Sequence, residues 1–340
     1  MVHKRALITG ITGQDGSYLA ELLLKKGYEV HGLVRRSSRD PFVRLAHIKN
    51  DITPHYGDLR DFGALERAIK ESNPHEIYNL AAQSDVWVSF KVPEETYEIN
   101  YAGVGRLVHA AMQHNPKIKI YQASTSEMFG STPPPQSELS PMVPVSPYGI
   151  AKLRAHEDYV VGYRTKYNLF IASGILFNHE SPRRGEHFVT RKITLSFAKM
   201  RCGLLESVAL GNLDAKRDWG FAGDYVEAMY AMLQQEKPDD FVIATGETHT
   251  VRELVEAAAT ASGMHISWEG KGATEIGKDE KGVVRVRVDE QYYRPNEVHN
   301  LQGDPSKAKK LLGFAPTTTF AELIAMMTDA DYAAIKGAMV

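Results

Sequence analysis

The sequence predicts an α/β fold, a Rossmann-type doubly wound parallel sheet with a smaller C-terminal α/β lobe. Three observations support this fold class. Apolar strand segments alternate with amphipathic helices through the first half of the chain, which is typical of a parallel sheet. A glycine-rich turn joins the first strand to the first helix, and a Tyr-x-x-x-Lys pair follows a later strand. We expect the first domain to span residues 1–170 and the second lobe residues 171–340, with some later segments returning to the first domain.

The composition narrows the class of protein. The 340 residues carry 40 Lys and Arg against 42 Asp and Glu, a net charge of -2, so no basic field favours nucleic acid. The single cysteine, Cys202, excludes an intramolecular disulfide and a multi-cysteine zinc site, and we expect no metal. No apolar run is long enough for a membrane span. Lys4 and Arg5 lead into a core strand and not into a signal sequence, so we expect a cytoplasmic protein.

The first strand and the turn after it predict a dinucleotide site. Residues 5–9 form a buried strand, the glycine turn covers 10–16, the helix covers 17–24 and the next strand 28–34. The G-x-x-G-x-x-G spacing is one residue wider than the usual dinucleotide fingerprint, and a plain glycine turn would look the same. Between a strand and a helix, however, such glycines let the backbone approach a pyrophosphate at the helix start.

The end of the second strand indicates which dinucleotide binds. An acidic residue there would hold the ribose of NAD, whereas arginine accommodates the extra phosphate of NADP. This chain has Arg35, Arg36, Ser37 and Ser38 at that point, which favours NADP over the alternative of a solvated basic loop. After a third strand at 53–56, Asp58 could accept a hydrogen bond from the adenine amino group, or could cap a helix that starts near residue 61.

The fourth strand, residues 76–80, runs into a stretch of small and polar residues. This Ala-Ala-Gln-Ser stretch covers 81–84, and its small side chains leave room for the ribose and pyrophosphate of the cofactor. A long helix is predicted over 96–114, and the strand that ends at residue 123 follows it.

The candidate catalytic residues begin where that strand ends. Thr125 and Glu127 lie at its carboxyl end, where open α/β sheets bind their ligands. Tyr148 and Lys152 are four residues apart in a helix that starts near Pro147, so they share one helix face. A lysine ammonium beside a phenol lowers its pKa, which would make Tyr148 a base for an alcohol proton. The alternative is a surface Tyr and Lys that share this spacing by chance.

Several later loops carry charged residues that could meet at a substrate. A strand at 170–176 opens into a polar loop at 177–185, and a helix from about residue 188 carries Arg191 and Lys192. Polar loops at 211–218 and 294–297 follow. Their basic residues could converge on a diphosphate, or they could be scattered, solvated charges. Helices are predicted at 251–262 and 305–312, and residues 270–282 are predicted to be an exposed, mobile loop.

Taken together, these segments resemble the extended short-chain dehydrogenase/reductase superfamily and, within it, the GDP-mannose 4,6-dehydratase family. The resemblance runs over nearly the whole chain. The superfamily likeness rests on the glycine turn and on Tyr-x-x-x-Lys. The likeness to the dehydratases rests on the more specific segments NHESPRRG, RDWG and RPNEV. The chain departs from many relatives at 154–158, at Glu95 and at Asn296, and these departures concern the exact sugar more than the chemistry.

The resemblance implies a set of site residues. The implied catalytic residues are Thr125, Glu127, Tyr148 and Lys152. The implied NADP-binding residues are Gly10, Thr12, Gly13, Gln14, Asp15, Gly16, Arg35, Arg36, Ser37, Asp58, Leu59, Leu80, Ala81, Ala82, Gln83, Ser84, Tyr148, Lys152, His179 and Arg184. The implied residues for GDP-mannose are Ser84, Thr125, Glu127, Asn178, Val189, Lys192, Gly211, Arg217, Arg294 and Glu297.

The implied reaction is an internal oxidation and reduction that converts GDP-mannose into GDP-4-keto-6-deoxy-mannose. C4 is oxidised with NADP, Glu127 mediates loss of water across C5 and C6, and the hydride returns to C6. Three alternatives stay open: dehydration of another GDP-sugar, a nucleotide-sugar 4-keto-reductase or epimerase, and a non-enzymatic NADP-sensing regulator. The resemblance also implies a homodimer or homotetramer, and residues 171–340 would mainly bind the nucleotide-sugar.

Overall fold

A computed structural model of the protein describes residues 4–293, 298 and 300–339. Its strands are, in chain order, β1 Arg5–Thr9, β2 Glu29–Val34, β3 Ile52–Tyr56, β4 Glu76–Asn79, β5 Lys119–Thr125, β6 Ile171–Leu176, β7 Asn178–Glu180, β8 Val208–Leu210, β9 Lys216–Arg217, β10 Trp219–Phe221, β11 Asp240–Ile243, β12 His249–Thr250, β13 Ser267–Glu269, β14 Ile276–Lys278, β15 Val284–Val288 and β16 Asn300–Leu301.

Its α-helices are α1 Gln14–Lys25, α2 Phe62–Ser72, α3 Val86–Lys91, α4 Pro93–Tyr97, α5 Gly103–His114, α6 Pro147–Ala155, α7 Gly162–Tyr167, α8 Val189–Arg201, α9 Ala222–Leu233, α10 Val251–Ala261, α11 Ser306–Leu312 and α12 Phe320–Ala338. Short 3₁₀ segments lie at Val43–Asp51, Ser126–Met128, Gly272–Thr274 and Glu290–Tyr292, and π-helical segments lie at Glu98–Ala102 and His156–Val161.

Seven strands form one parallel sheet in the order β11-β6-β5-β4-β1-β2-β3. The predicted doubly wound fold is therefore confirmed. The chain leaves β1 toward β2 on one side and later returns to place β4 on the other side. This change of direction opens a crevice beyond the carboxyl ends of β1 and β4, which is where such sheets bind ligands. Two strands of this sheet, β6 and β11, follow residue 170 in the chain.

Apolar helices cover both faces of the sheet. On one face, α1 and α9 bury Leu19, Leu23 and Met229 against the strands. On the other face, α2 and α5 bury Ile69 and Leu107. Because both faces are covered, the central strands are largely buried on both sides, and polar residues within them pair with each other, as Asn79 of β4 donates to Gln122 of β5 at 2.7 Å.

Two helices differ from their predicted bounds. Helix α1 begins at Gln14, within the glycine turn, so the last glycine of the motif already belongs to its first turn. The long helix predicted over 96–114 is interrupted, because α4 is followed by the π-helical Glu98–Ala102 before α5 begins. A π-helical segment adds a residue to the turn, which changes the face that each later side chain presents.

The second lobe is built on small sheets. One has four strands in the order β13-β14-β15-β8, another has three in the order β12-β9-β16, and β10 pairs with β7. Helices α8, α10 and α12 bury Phe197, Leu254 and Ile324 in a separate core. Strand β14 lies inside the predicted loop at 270–282, so that loop prediction is wrong for residues 276–278.

Buried polar contacts fix α8 to α12 and to β7. Arg191 contacts Asp331 of α12 at 2.5 Å, and the Thr194 hydroxyl donates to the same carboxylate at 2.9 Å. At the start of α8, the Thr190 hydroxyl donates to Glu180 of β7 at 2.5 Å. Both carboxylates are almost fully buried, and removing one partner of such a pair is strongly destabilising. In the described part of the chain, no helix combines the length and apolar character needed to cross a membrane.

Candidate active site

The predicted catalytic residues meet at the carboxyl end of β5. Thr125 is the last residue of β5, Glu127 lies in the 3₁₀ turn that follows, and Tyr148 and Lys152 lie on α6. All four are at most 9% exposed. The Thr125 hydroxyl oxygen accepts a hydrogen bond from the Glu127 backbone amide at 3.2 Å, so the turn places both side chains at the same edge.

Tyr148 is held as a neutral phenol in this arrangement. Burial raises its pKa to about 12, and the charges of Glu127 and Asp15 also raise it, although the Thr125 hydrogen bond and Arg184 lower it. The Tyr-x-x-x-Lys spacing predicts a lowered pKa, and for the phenol in this structure that prediction is wrong. The difference arises because desolvation of the phenolate outweighs the favourable contacts.

The Lys152 ammonium is hydrogen-bonded to the backbone near the Tyr148 ring. Its ammonium donates to the Ala123 carbonyl at 2.8 Å and lies 5.9 Å from the centroid of the Tyr148 ring. Burial lowers the pKa of Lys152 to about 8, so it still carries its proton at neutral pH. The helix therefore brings a phenol and an ammonium to one edge, as the spacing predicts.

Gly149 decides how closely α6 approaches the Glu127 turn. A Cβ atom at this position would lie 2.6 Å from the Glu127 carbonyl oxygen and 3.0 Å from Pro144 Cβ. The Ser146 side chain caps the helix by accepting from the Gly149 amide at 3.0 Å. Gly149 is not among the residues predicted from sequence, and its position directly after Tyr148 is the signal that could have identified it.

The glycine turn after β1 packs too closely for side chains. Gly10 has φ +70°, and a Cβ there would lie 2.8 Å from the Ala81 amide nitrogen. A Cβ on Gly16 would lie 2.3 Å from the Gly10 carbonyl oxygen. Gly13, the N-cap residue of α1, donates to the Gly10 carbonyl at 2.9 Å. The turn therefore leads the backbone directly into the amino end of α1, where an anionic group is favoured.

An ion pair links this turn to the loop after β6. Both nitrogens of the His179 ring face acceptors, the Asp15 carboxylate at 2.8 Å and the Phe177 carbonyl at 2.8 Å. Two acceptors require two N–H groups, so the geometry calls for an imidazolium. Burial lowers the pKa of His179, but the contacts with Asp15 and Phe177 outweigh burial and the net pKa is raised. The pKa of Asp15 is lowered because its contacts, above all with His179, outweigh the effect of its own burial.

The same two segments share a second contact. Gln14 donates to the His179 carbonyl at 3.0 Å and accepts from the Ser181 hydroxyl at 2.8 Å. Arg184, at the end of this loop, contacts the buried Glu180 carboxylate at 3.0 Å. The structure thus brings Gln14 and Asp15 together with His179 and Arg184, although the two segments are far apart in the chain.

An open cavity of about 550 Å³ lies beyond the ends of β2 and β3. Its lining residues are Arg35, Arg36, Tyr56, Gly57, Asp58, Arg60 and Asp61. Ser37 follows the two arginines with an exposed side chain. Leu59 is 3% exposed and packs into the core, so only its backbone could face a ligand. Arg60 is not among the residues predicted from sequence, and its position two residues after Asp58 is the available signal.

The loop after β4 is held by polar contacts from neighbouring helices. Asn100, in a π-helical segment, accepts from the Gln83 amide at 2.9 Å and donates to the Gln83 carbonyl at 2.8 Å. The Gln83 side chain donates to the Thr96 hydroxyl at 3.0 Å. Gln83 is therefore engaged within the protein, whereas Ser84 is exposed. Leu80, Ala81 and Ala82 are half-buried beside the glycine turn.

Two of the predicted substrate residues lie near Tyr292. Lys192 and Gly211 lie together, since Lys192 is 3.5 Å from the Tyr292 ring centroid and a Cβ on Gly211 would lie 2.7 Å from the Tyr292 carbonyl oxygen. Burial lowers the pKa of Lys192, although Asp289 opposes this change.

Three other predicted substrate residues lie on short strands and at a helix start. Asn178 belongs to β7, and Arg217 lies in β9, where it is 6% exposed. Val189, at the start of α8, is 36% exposed. Arg294 and Glu297 lie outside the described residues, so their predicted roles stay predictions. Among the residues described, no three His, Cys, Asp or Glu side chains are grouped so that they could hold a metal ion.

The parallel sheet and the buried Tyr-x-x-x-Lys helix define an enzyme of the short-chain dehydrogenase/reductase class. The family model described as GDP-mannose 4,6 dehydratase matches residues 7–327. The chain is 55% identical to GDP-mannose 4,6 dehydratase of Homo sapiens over 338 residues, which cover 96% of this chain and 91% of that protein. The chain therefore belongs to the GDP-mannose 4,6-dehydratase family.

Two further comparisons agree with this placement. GDP-mannose 4,6 dehydratase 1 of Arabidopsis thaliana is 53% identical over 340 residues, which cover 96% of this chain and 90% of that protein. A crystal structure of Thermus thermophilus UDP-glucose 4-epimerase in complex with NAD superimposes with a TM-score of 0.80 at 28% identity. That comparison covers 97% of this chain and 99% of the epimerase chain.

Replacing Gly149 with Ala should reduce turnover by about a hundredfold, the loss that a displacement of about 1 Å can cause. The added methyl group meets the Glu127 carbonyl, so α6 must move away from the catalytic turn. The measurement is kcat together with cofactor affinity, which should change little. Gly337→Ala is the matched control, because a Cβ atom on that helical glycine would have nothing within 4 Å. Unchanged turnover in Gly149→Ala would contradict the proposed constraint.

Replacing Asp15 with Asn should destabilise the protein in a pH-dependent way. The pKa of His179 is raised, so its stabilising charge is fully present below about pH 6.5 and is lost as pH rises through the raised pKa. The pKa of Asp15 is lowered, so its charge persists over this range. We expect a cost of roughly 1–3 kcal/mol at about pH 6 and a smaller cost at about pH 9.

Urea unfolding of the cofactor-free protein at both pH values measures this difference. Asp329→Asn is the control, because that carboxylate is 67% exposed and lies 4.0 Å from Arg201. A cost for Asp15→Asn that is the same at both pH values would show that His179 is not an imidazolium.

Proposed function

We propose that this protein converts GDP-mannose into GDP-4-keto-6-deoxy-mannose and water, with NADP as a cofactor that is regenerated in each cycle. Membership of the GDP-mannose 4,6-dehydratase family supports the reaction and the sugar. The observation that carries the proposal is a carboxylate, Glu127, buried beside Tyr148 at the carboxyl edge of the sheet. Oxidation at C4 needs one base, and loss of water across C5 and C6 needs a second acid/base group.

The residues present fit a nicotinamide dinucleotide. The glycine turn allows a close backbone approach at the amino end of α1, and the cavity beyond β2 and β3 has arginines on its wall. The related Thermus thermophilus epimerase was crystallised with NAD, which supports a nicotinamide cofactor. We propose NADP in particular because Arg35 and Arg36 stand where NAD enzymes place an acidic residue.

The remaining predicted cofactor residues would hold the other parts of the dinucleotide. We propose that Gly13, Gln14 and Gly16 present backbone amides to the pyrophosphate. The half-buried loop after β4 would lie along the ribose, and His179 and Arg184 would bind near the phosphates. When bound, the nicotinamide ring supplies a hydride acceptor for C4 and a hydride donor for C6.

The protein's own groups move the protons. Tyr148 takes the proton of the C4 hydroxyl, and Thr125 hydrogen-bonds at the same oxygen. Because burial makes the phenol a weak acid, its anion depends on the Thr125 hydrogen bond and on positive charge from Arg184 and Lys152. The C4 ketone then acidifies the proton on C5. Glu127 removes that proton and passes it to the leaving C6 hydroxyl, which departs as water. As the hydride returns to C6, C5 is reprotonated, and the proton taken from the C4 hydroxyl balances this step.

We propose that the second lobe binds the nucleotide-sugar and that residues 1–170, with β6 and β11, bind the cofactor. Lys192, Gly211 and Arg217 would hold the GDP portion, together with Arg294 and Glu297, and Asn178, Val189 and Ser84 would line the sugar path. Lys192 and Arg217 are suited to a diphosphate by their charge. Homodimeric or homotetrameric assembly and a cytoplasmic location stay predictions.

Epimerisation and keto-reduction are the alternative reactions on this scaffold. The fold alone does not distinguish them from dehydration, since a 4-epimerase superimposes well. Both reactions need the Tyr and Lys but no group for C5–C6 elimination. The buried Glu127 therefore favours dehydration. A different GDP-sugar is the alternative substrate, and the departure at Asn296 is the place where such a preference would arise, since Glu95 lies beside Arg60 at the proposed cofactor cavity.

Incubation of the purified protein with GDP-mannose and catalytic NADP tests the proposal. We expect the sugar nucleotide to lose one water, because the hydride that leaves C4 returns to C6 and no external reductant is used. Mass spectrometry measures the loss, and the near-ultraviolet absorbance of the reduced nicotinamide follows the cofactor. Unchanged GDP-mannose in the presence of bound NADP would overturn the substrate assignment, and the same assay would then be repeated with other GDP-sugars.

Glu127→Gln should stop water loss while leaving cofactor and substrate binding intact, because glutamine cannot take the C5 proton. Loss of a general acid/base group typically costs about 10²- to 10⁴-fold in rate. Oxidation at C4 should persist, so reduced cofactor should accumulate in stoichiometric amount and be detected by its absorbance. Glu66→Gln, an exposed glutamate on α2, is the matched control. Full dehydratase turnover in Glu127→Gln would show that another group performs the elimination.

A further inference from the structure

Arg60 stands on the wall of the cavity beyond β2 and β3, together with Arg35 and Arg36. Three guanidinium groups therefore share this cavity with the carboxylates of Asp58 and Asp61. Sequence motifs do not identify Arg60, because it lies after the third strand and not in the arginine pair after the second.

Arg60 forms a bidentate ion pair with the Asp58 carboxylate and so covers it. Its Nε donates to Asp58 Oδ1 at 2.9 Å, and its Nη2 donates to Asp58 Oδ2 at 3.0 Å. The Arg60 backbone amide adds a third contact to Oδ1 at 3.0 Å. Hydrogen bonds from Arg60 lower the pKa of Asp58, and the charge of Arg35 also lowers it. Asp58 is thus ionised, and both of its oxygens are already paired within the protein.

A second carboxylate holds Arg60 from the other side. Glu95, on helix α4, lies 3.5 Å from Arg60 Nη1. Arg60 therefore bridges the end of β3 to α4, and its guanidinium spans this edge of the cavity. Its side chain is 44% exposed, so the ion pair with Asp58 remains accessible to solvent and can respond to an added charge.

We propose that Arg60 is a specificity-determining residue that makes this cavity selective for a dinucleotide with a 2′-phosphate. An uncovered Asp58 would face a phosphate of like charge, and such contacts are unfavourable. With Arg60 in place, Asp58 is neutralised and the guanidinium groups of Arg35 and Arg36 remain available to the phosphate. The proposal rests on the proposed cofactor site and adds to it Arg60, the residue that neutralises the neighbouring Asp58 carboxylate.

The test compares the affinity of the cofactor-free protein for NADPH and for NADH, measured by fluorescence titration at constant salt. In Arg60→Gln, we expect the dissociation constant for NADPH to rise about tenfold or more, because a charge-assisted pair near the phosphate is lost. The constant for NADH should change far less, since NADH lacks that phosphate. Arg60→Lys keeps the charge but not the bidentate geometry. Its dissociation constant for NADPH should lie between those of the wild type and Arg60→Gln.

Two controls make the result specific. Arg201→Gln removes one positive charge at a distant site beside Asp329, and should leave the ratio of the two affinities unchanged. In an Asp58→Asn background there is no carboxylate charge to neutralise, so Arg60→Gln should have a smaller effect on NADPH binding. An effect of full size in that background would overturn the neutralising role.

The outcomes also separate this proposal from the proposed function. If the wild-type protein binds NADPH but Arg60→Gln weakens NADPH and NADH equally, or weakens neither, Arg60 does not determine specificity and the cofactor site stands on its other residues. If the wild-type protein binds neither dinucleotide, the proposed function itself fails.

Discussion

The close packing of α6 on the turn after β5 is the constraint on which the site depends. The turn supplies a hydroxyl and a carboxylate, and the helix supplies a phenol and an ammonium. These groups can act on one sugar only if the two segments approach without an intervening side chain. Gly149 permits that approach, because any Cβ there would meet the Glu127 carbonyl at 2.6 Å. The catalytic geometry thus depends on a residue that has no functional group.

Burial sets the chemical character of the site. It raises the pKa of Tyr148 to about 12 and lowers that of Lys152 to about 8, which disfavours the charged form in both cases. The surrounding groups then shift the pKa of Tyr148 in either direction. Thr125 and Arg184 favour the phenolate, whereas Glu127 opposes it. Tyr148 is therefore a neutral phenol at rest. It would act as a base only when additional positive charge stabilises its phenolate.

Ion pairs and charge-assisted hydrogen bonds connect the segments that surround this site. Asp15 and His179 join the glycine turn to the loop after β6, and Glu180 joins the same loop to the start of α8. Arg191 and Asp331 then fix α8 to the last helix. Because each pair is largely buried, these segments are held together by contacts that are strong only when both partners are in place. At the cavity beyond β2 and β3 the pair is more exposed, and there Arg60 covers Asp58.

Local periodicity and spacing along the chain were enough to predict the parallel sheet, the glycine turn and the four residues proposed for catalysis. Strands β1 and β6 lie within a few residues of their predicted positions, and so does the start of α6. The contacts between distant segments came from tertiary structure. No local pattern reveals that Gly149 meets Glu127, that Asp15 pairs with His179, or that Arg60 lies beside Glu95 of α4. Tertiary structure also decided the pKa of Tyr148, since the loss of solvent around a side chain depends on everything packed against it and not on its neighbours in the chain.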